Sequence, residues 1–191
     1  ILFIYPTLVL LLSFLFLKKR VSKNQAIAIF ITYFGVVFIF VQDPELVNGS
    51  NILLGAVLIF FSALTYAAYL VGSGQIIPKL GATNFTSLAM IVSCVCVIIH
   101  FLIQGDYNIL GYANEVYYLG IAMAIFSTIL PSYMVSYAIK EVGASNFSIL
   151  GSFGPVSTIV LAYIFLGEEL SLLQGVGVLV VIFGVYQVVK K

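Results

Sequence analysis

The chain has 191 residues, of which 62% are hydrophobic and only 8% are charged, and its formal net charge is +1. Soluble domains carry about 25% charged residues, so this composition excludes an ordinary soluble fold, and the near-neutral charge gives no indication of nucleic-acid binding. A helix that crosses a bilayer needs roughly 20 mostly apolar residues. The predicted fold class is therefore an all-α membrane protein, a polytopic helix bundle.

Seven apolar segments follow one another along the chain, and each is long enough to be read as a membrane span. The predicted spans are residues 1–17, 25–42, 53–73, 84–103, 116–139, 146–166 and 171–189. The short links between them carry nearly all of the charge, as expected where a charged side chain at the bilayer centre is costly.

The signs of the charges in the links predict the topology. Basic residues follow spans one, three, five and seven: Lys18, Lys19, Arg20, Lys23, Lys79, Lys140, Lys190 and Lys191. Apart from Glu141, the acidic residues lie in the other links: Asp43, Glu45, Asp106, Glu115, Glu168 and Glu169. Because basic loops stay in the cytoplasm, span one is predicted to run from outside to inside, and the C-terminus to be cytoplasmic.

Part of the chain is repeated with its charge reversed. Residues 16–22 return 149 residues later as residues 165–171, with the apolar frame kept and Lys18-Lys19-Arg20 replaced by Gly167-Glu168-Glu169. The same offset pairs Pro6 with Pro155, Leu12 with Leu161, Gln25 with Gln174, and residues 34–36 with 183–185. A basic and an acidic loop at equivalent places predict two copies in opposite orientations, an arrangement typical of secondary transporters.

The two copies are of unequal length. Residues 43–52 form an outer loop, residues 53–191 a complete five-helix repeat, and residues 1–42 only the last two helices of a first repeat. We therefore expect three further helices upstream, roughly 95 to 100 residues, which would give a ten-helix, 5+5 inverted-repeat protein. A chain that begins naturally at Ile1, or after a removed signal peptide, is the alternative.

The closing hairpin resembles a known family. Pro155, the run 162–171, Gly175, Gly177 and the triplet 183–185 are similar to the last two helices of the EamA-like transporters, of the drug/metabolite transporter superfamily. Residues 5–36 resemble the end of a first EamA repeat, with a basic triplet in place of Gly-Glu, and residues 58–69 resemble the opening of a second. The resemblance implies a ten-helix permease of a bacterial plasma (inner) membrane that moves a small metabolite, often outward.

Polar side chains within the spans are the candidates for substrate binding. In hydrocarbon no water satisfies a hydroxyl, so each must face protein or a cavity. They predict a tyrosine-walled cavity between spans three, five, six and one, although helix packing is the competing explanation for any single Ser, Thr or Gly. The predicted substrate-binding residues are Ser62, Tyr66, Tyr69, Thr128, Ser132, Tyr133 and Ser152.

Prolines within the spans predict the moving parts. A proline removes a backbone donor and frees a carbonyl, and broken helices at matched positions indicate the midplane site of a transporter. Pro6 and Pro155 are such a pair, and Pro131 and Gly154 complete the predicted gating or kink positions. The predicted mechanism is alternating access, in which two repeats rock about a central site.

No Asp, Glu, Lys or Arg lies in the middle of a predicted span, which favours a neutral or zwitterionic substrate such as an amino-acid-like metabolite. A nucleophile–base pair or paired carboxylates at depth are also missing from the sequence, so no enzyme is expected. A retinal-binding protein with seven helices would need a lysine in the last span to attach retinal, and this span has none. Cys96 and His100 share a helix face but make only two ligands, so neither a metal nor a cofactor is predicted.

Three expectations concern the rest of the chain. Residues 81–86 and 143–148 are near-copies in which Thr83 and Ser145 are predicted to cap helix N-termini, and Asn48-Gly49-Ser50 is read as a turn. Gly175 and Gly177 are close-packing positions, with a homodimer contact as the alternative. A non-transporting membrane assembly or binding subunit remains the alternative function, because an inverted repeat describes architecture rather than flux.

We predict that transport does not depend on His100, the single histidine of the chain. A proton-coupled carrier generally needs an intramembrane carboxylate or His, but the neighbours of His100 fit an interface position near the outer end of span four. His100→Ala should therefore leave flux intact when uptake or efflux is measured at equal membrane abundance. Complete loss of flux would contradict this prediction.

Overall fold

A computed structural model describes residues 4–40, 52–104, 111–167 and 171–189, and within these ranges the chain forms helices and short turns without any strand. The helices are α1 Tyr5–Leu17, α2 Lys23–Phe40, α3 Ile52–Leu80, α4 Ala82–Gln104, α5 Asn114–Met123, α6 Leu130–Val142, α7 Ala144–Leu150, α8 Gly154–Leu161 and α9 Leu172–Val189. A π-helical turn, Ala124–Ile129, joins α5 to α6, a 3₁₀ turn, Gly151–Phe153, joins α7 to α8, and a second π-helical turn, Ala162–Leu166, follows α8. Several residues of the predicted links and chain ends lie outside the described residues: Ile1, Asp43, Glu45, Asn48, Gly49, Ser50, Asp106, Glu168, Glu169, Lys190 and Lys191.

The described helices fit an integral membrane protein. Four helical runs are long and apolar enough to cross a bilayer: Leu54–Leu80, Ala82–Gln104, Asn114–Val142 and Ala144–Phe165. Tyr5–Leu17 and Leu172–Tyr186 are shorter apolar helices, and α2 has 18 residues. Each of the seven predicted spans therefore coincides with helix in the described ranges, whereas the ten-helix inverted repeat stays a prediction.

Helix α3 continues beyond the end predicted for the third span at residue 73, so that boundary was wrong. The helix ends at Leu80, where Gly81 adopts a φ of 82° and its N–H donates to the Ile77 carbonyl at 2.8 Å. Gly74 and Pro78 have poor helix propensity, yet the helix accommodates both. Pro78 lies close to the helix end, so the hydrogen bond that it removes is near the frayed terminus.

The chain divides into two compact units, which are described separately. The first contains residues Ile1–Gly72 and Ala144–Lys191, and the second contains Ser73–Gly143. The first unit therefore holds α1, α2, most of α3 and the helices from α7 to α9. The second unit holds the end of α3, α4, α5 and α6.

Helices α2 and α9 form the most extensive helix pair in the first unit. A Cβ atom on Gly35 would lie 2.8 Å from the Gly177 carbonyl oxygen and 2.9 Å from the Val181 nitrogen, and a Cβ on Gly184 would lie 2.9 Å from the Thr32 nitrogen. Since the later position on one helix meets the earlier position on the other, the helices run antiparallel. Small residues let membrane helices approach this closely.

The crossing is the same when seen from either helix. Gly184 is the equivalent of Gly35 at the offset of 149 residues, and Val181 is the equivalent of Thr32. Gly35 packs on Val181 while Gly184 packs on Thr32, and the two larger side chains are completely buried. Exchanging the two helices therefore reproduces the contact, as an approximate two-fold axis requires.

The loops that precede α2 and α9 also share their local geometry. Ser22 N–H donates to Gln25 Oε1 at 3.1 Å, and Gln25 N–H donates to Ser22 Oγ at 3.2 Å. Ser171 and Gln174 make the same reciprocal pair, at 3.1 Å in both directions. Each is a capping box, which satisfies two N–H groups at the start of a helix.

In the second unit, hydroxyl groups join α4 to α6. Three pairs are hydrogen-bonded: Thr83–Tyr137 at 2.8 Å, Thr86–Ser136 at 2.7 Å and Ser87–Tyr133 at 2.8 Å. Thr83 and Ser145 are each the second residue of their helix, so the prediction that they cap helix N-termini was wrong. Thr83 instead uses its hydroxyl in the exposed pair with Tyr137 on the neighbouring helix.

We predict that Gly35→Ala and Gly184→Ala each destabilise the protein by about 1–3 kcal/mol, because the new methyl group meets backbone atoms that cannot move independently. Gly175→Ala is the matched control on α9, since nothing lies within 4 Å of its Cβ position. The measurement is the free energy of unfolding in detergent for the three variants. Equal effects of Gly175→Ala and Gly35→Ala would contradict the close contact of α2 with α9.

Candidate functional site

Three tyrosines form a cluster in the first unit. The ring centroids of Tyr5 and Tyr66 lie 5.2 Å apart at an interplanar angle of 70°, and those of Tyr66 and Tyr69 lie 6.3 Å apart at 19°. Tyr5 is buried, at 7% exposure, whereas Tyr66 and Tyr69 keep 37% and 39% of their surfaces accessible. The cluster therefore has an anchored member and two members that a ligand can reach.

Helix periodicity fixes the direction of the two accessible tyrosines. The buried positions of α3 in the first unit are Ala63, Ala67, Leu70 and Val71. This spacing of four and three residues is one helix face, and it holds the helix against its neighbours. Tyr66 lies at the edge of this face, three residues after Ala63 and four before Leu70, whereas Tyr69 lies away from it. Both tyrosines therefore keep part of their surface accessible.

The helical run from α7 to α8 breaks beside Tyr5. Pro155 has no N–H to donate into the preceding turn, and the chain passes through the 3₁₀ turn Gly151–Phe153. The Tyr5 hydroxyl occupies the place where a Cβ on Gly151 would be. A residue without a side chain at position 151 is thus what allows the tyrosine to lie against the broken helix.

Ser152 carries the unusual polar group of this turn. The residue is 1% exposed, and its hydroxyl is the one buried side-chain polar atom in the described ranges that has no hydrogen-bond partner. Leaving such a group unpaired costs about 1–3 kcal/mol. An orphaned hydroxyl at a helix break is therefore a feature that needs a functional explanation.

The predicted proline pair has matching geometry. Pro6 and Pro155 are buried and each lies in the first turn of its helix, α1 or α8. The residues that cap these helices, Ile4 and Phe153, adopt nearly identical backbone angles, with φ and ψ of −76° and −14° and of −72° and −13°. Pro155 thus follows a tight turn rather than kinks a continuous α-helix, and Pro6 occupies the equivalent place in the first turn of α1.

The other predicted gating positions behave differently. Pro131 follows the π-helical turn Ala124–Ile129, in which the backbone hydrogen bonds change from the i+4 to the i+5 pattern before the proline is reached. Gly154 begins α8, and its carbonyl accepts a hydrogen bond from Thr158 Oγ1 at 3.1 Å. The carbonyl that Pro155 leaves without its i+4 donor is that of Gly151, and it accepts instead from the Gly154 N–H in the 3₁₀ turn.

The remaining predicted binding residues are divided between the two units. In the first, the Ser62 carbonyl accepts from Thr65 Oγ1 at 2.9 Å. In the second, Ser132 Oγ donates to the Thr128 carbonyl at 2.6 Å, and the Tyr133 hydroxyl pairs with Ser87 at 2.8 Å. Of the predicted set, Tyr66 packs on Tyr5 and Tyr69 stacks on Tyr66. Ser152 follows Gly151, on which Tyr5 lies.

Two features of the site do not follow from the sequence patterns. Tyr5 is absent from the predicted binding residues, although a tyrosine within an apolar span beside a proline is itself a signal. Gln25 Nε2 donates to Asn146 Oδ1 at 2.8 Å, and this bond joins the starts of α2 and α7. The repeat distinguishes Gln25 and the near-copied motif distinguishes Asn146, but nothing in the sequence links the two.

The other candidate sites carry no comparable geometry. Cys94 and Cys96 are free and exposed, and no group of three His, Cys, Asp or Glu residues in the described ranges could hold a metal. His100 lies on an exposed surface with its Nε2 3.3 Å from Gln104 Nε2. Gly177 packs on Gly35 within the chain, so its small size is explained without a homodimer, which stays a prediction.

Comparison with known proteins points to one family. The model of the EamA-like transporter family matches residues 53–190. An uncharacterized transporter of Archaeoglobus fulgidus is 29% identical over 192 residues, which cover 97% of this chain and 64% of the relative. Two uncharacterized transporters of Bacillus subtilis are similar: YcbK, 29% identical over 65% of this chain and 41% of the relative, and YyaM, 27% over 94% and 59%. This chain thus spans less than two thirds of the length of these curated relatives.

We predict that Gly151→Ala destabilises the protein by about 1–3 kcal/mol through its collision with Tyr5, and that Tyr5→Phe restores most of the loss. The second change removes the hydroxyl that occupies the Cβ position, and the next ring atom lies 3.2 Å away. A double-mutant cycle of unfolding free energies measures this coupling. Strictly additive effects would show that Tyr5 does not lie against Gly151.

Proposed function

Because this chain belongs to the EamA-like transporter family, we propose that it is part of a permease that moves a small metabolite across a bacterial plasma membrane. The proposed substrate is neutral or zwitterionic, for example an amino-acid-like compound, and the proposed direction is export. The activity is transport without chemical conversion of the substrate. The relatives are named only as uncharacterized transporters, so the substrate class rests on the site itself.

The observation that carries the proposal is the orphaned Ser152 hydroxyl beside the tyrosine cluster. The hydroxyl has no accessible surface in this structure. In the proposal a substrate amide, hydroxyl or carboxylate gives it the partner that it lacks once the helix break at Gly151–Phe153 opens, while the faces of Tyr66 and Tyr69 pack on the apolar part of the substrate. Tyr66 lies near the middle of the apolar run Leu54–Leu80. A binding site of a secondary transporter is expected at this depth.

The absence of charge restricts what this site accepts. No Asp, Glu, Lys or Arg occurs in the first unit between residues 52 and 72 or between residues 144 and 167. A substrate with net charge would leave water for this apolar depth without a counter-charge, at a large desolvation cost. A neutral or zwitterionic substrate, whose own charges compensate each other, avoids this cost.

The proposed mechanism is alternating access by two copies in opposite orientations. The reversed loop charges, the matched capping boxes and the antiparallel packing of α2 on α9 support this arrangement. The proposed moving parts are α1 and α8, whose first turns contain Pro6 and Pro155. The 3₁₀ turn before α8 gives the chain a place to bend, and the repeat assigns the same role to the start of α1. The Gln25–Asn146 bond joins two helix starts that the charge rule assigns to the cytoplasmic side, which supports a cytoplasmic C-terminus.

We predict that Tyr66→Ala and Ser152→Ala reduce saturable flux of the substrate about tenfold, as expected when a hydrogen bond or packing contact worth about 1.4 kcal/mol is lost. The assay is efflux of labelled amino acids and related metabolites from vesicles that contain the complete gene product. Tyr163→Ala is the matched control, because Tyr163 is 55% exposed and belongs to the π-helical turn after α8.

The stability of Ser152→Ala separates a binding role from a packing role. Removing a buried hydroxyl that has no partner should leave the unfolding free energy unchanged or raise it, while the apparent KM for substrate rises. A destabilised Ser152→Ala protein with normal KM would show that the hydroxyl serves packing, and equal flux losses in Tyr66→Ala and Tyr163→Ala would remove the tyrosine cluster from the site.

A further inference from the structure

An apolar groove runs between α1 and α2. Its volume is about 690 Å³. The groove is lined by Thr7, Leu10, Leu11, Phe14, Val21, Ala26, Ile29, Phe30, Tyr33, Phe34 and Val37. It therefore extends along most of both helices and reaches the loop that connects them.

The walls of the groove can pack against an apolar chain, but they offer a polar group almost no hydrogen-bond partner. Phe14, Phe30 and Phe34 are 54%, 75% and 54% exposed. The hydroxyl groups of Thr7 and Tyr33 are hydrogen-bonded to each other at 2.6 Å, so each already has a partner. The matching occupant is an extended hydrocarbon rather than a polar metabolite.

One end of the groove is strongly basic. Val21 lines the groove and lies within the loop that carries Lys18, Lys19 and Arg20, and Lys23 begins α2. All four basic side chains are exposed. No Asp or Glu occurs anywhere in residues 1–42, so these four positive charges are not neutralised by their own part of the chain. Basic clusters next to a membrane helix attract anionic lipid head groups.

We propose that the groove and this loop together bind one anionic phospholipid, with an acyl chain along α1 and α2 and the phosphate at Lys19 and Arg20. A phospholipid is the occupant that combines a long apolar tail with an anionic end at the depth where the loop leaves the bilayer. Guanidinium and ammonium groups make charge-assisted hydrogen bonds to phosphate oxygens. The rule that basic loops stay in the cytoplasm explains the side of the membrane but not the groove beneath the loop.

The second copy provides an internal comparison. Its residues equivalent to Leu11, Phe30 and Phe34 are Val160, Leu179 and Phe183, which are also exposed, at 42%, 68% and 55%. An apolar surface therefore recurs on α8 and α9. The loop there reads Gly167-Glu168-Glu169 in the sequence, and its negative charge would repel an anionic head group. The proposal thus assigns the anionic lipid to the first copy alone.

The first test is native mass spectrometry of the purified protein in detergent, titrated with dioleoyl phosphatidylglycerol or dioleoyl phosphatidylcholine. We expect the anionic lipid to be retained at a concentration at least about tenfold lower than the zwitterionic lipid. Lys19→Gln with Arg20→Gln should abolish the preference, whereas Lys140→Gln, at the end of α6, should preserve it. Ala26→Phe, which fills the groove, should weaken retention of the anionic lipid as well.

Equal retention of the two lipids, or a preference that survives in the Lys19→Gln, Arg20→Gln protein, would overturn the proposal. Insensitivity to Ala26→Phe would overturn the role of the groove. These residues are exposed, so the variants should unfold at the temperature of the unaltered protein, and a variant that does not is replaced by Ala26→Leu or by Lys19→Gln alone.

A second test identifies the occupant directly. The photo-crosslinker p-benzoylphenylalanine is placed at Phe30, the most exposed of the groove phenylalanines, and membranes are irradiated before purification. A mass increase equal to one phospholipid supports the proposal. A crosslink to another peptide of the same chain or to a second copy would show that a protein helix covers the groove and would overturn it.

Discussion

A bilayer offers a helix no hydrogen-bond partners, and this constraint explains where many hydroxyls of the spans find theirs. Several hydroxyls donate to the carbonyl three or four residues earlier in their own helix: Thr32, Thr65, Thr86, Ser87, Ser132, Ser148 and Thr158. Tyr133 and Tyr137 find hydroxyl partners on the neighbouring helix. Against this background the unpaired hydroxyl of Ser152 is an exception, and the exception lies where a proline has already broken the helix.

The same constraint explains why small residues hold the first unit together. Lipid tails are as apolar as leucine, so helices in a membrane gain stability from close contact rather than from hydrophobic burial. At the crossing of α2 with α9, Gly35 and Gly184 bring the backbones together from both sides. Because the contact is reproduced when the helices are exchanged, both helices use a glycine at equivalent positions. Replacing either glycine by a larger residue would push the two helices apart. The proposed mechanism therefore assigns motion to α1 and α8, whose first turns contain Pro6 and Pro155.

Hydropathy and the repeat make most of the fold predictable, but not the site. The helices coincide with the predicted spans because apolar length is a property of consecutive residues, and the offset of 149 residues is enough to pair Pro6 with Pro155. Tyr5 escapes prediction because its importance comes from contacts with Tyr66 and Gly151, which are distant in sequence. The prediction for Thr83 was wrong because a helix start and an interhelical hydroxyl pair use the same residue type. The face of Tyr66 and Tyr69 is predictable from periodicity, whereas the solitary state of the Ser152 hydroxyl is not.

The loop after α1 has a lysine at a position whose backbone conformation favours glycine. Lys18 adopts φ and ψ of 53° and 23°, and its equivalent Gly167 adopts 68° and 21°. The left-handed conformation suits glycine, and it costs a residue with a Cβ about 1 kcal/mol. The first copy nevertheless places a lysine there. In the predicted topology a positive charge at this point keeps the loop in the cytoplasm, and in our proposal it meets a lipid phosphate. The same topology assigns the second loop to the other side, where a positive charge would oppose the orientation, and this loop keeps the glycine that the turn prefers. One backbone shape thus carries two different residues, and the predicted topology accounts for the difference by the surface of the bilayer that each turn meets.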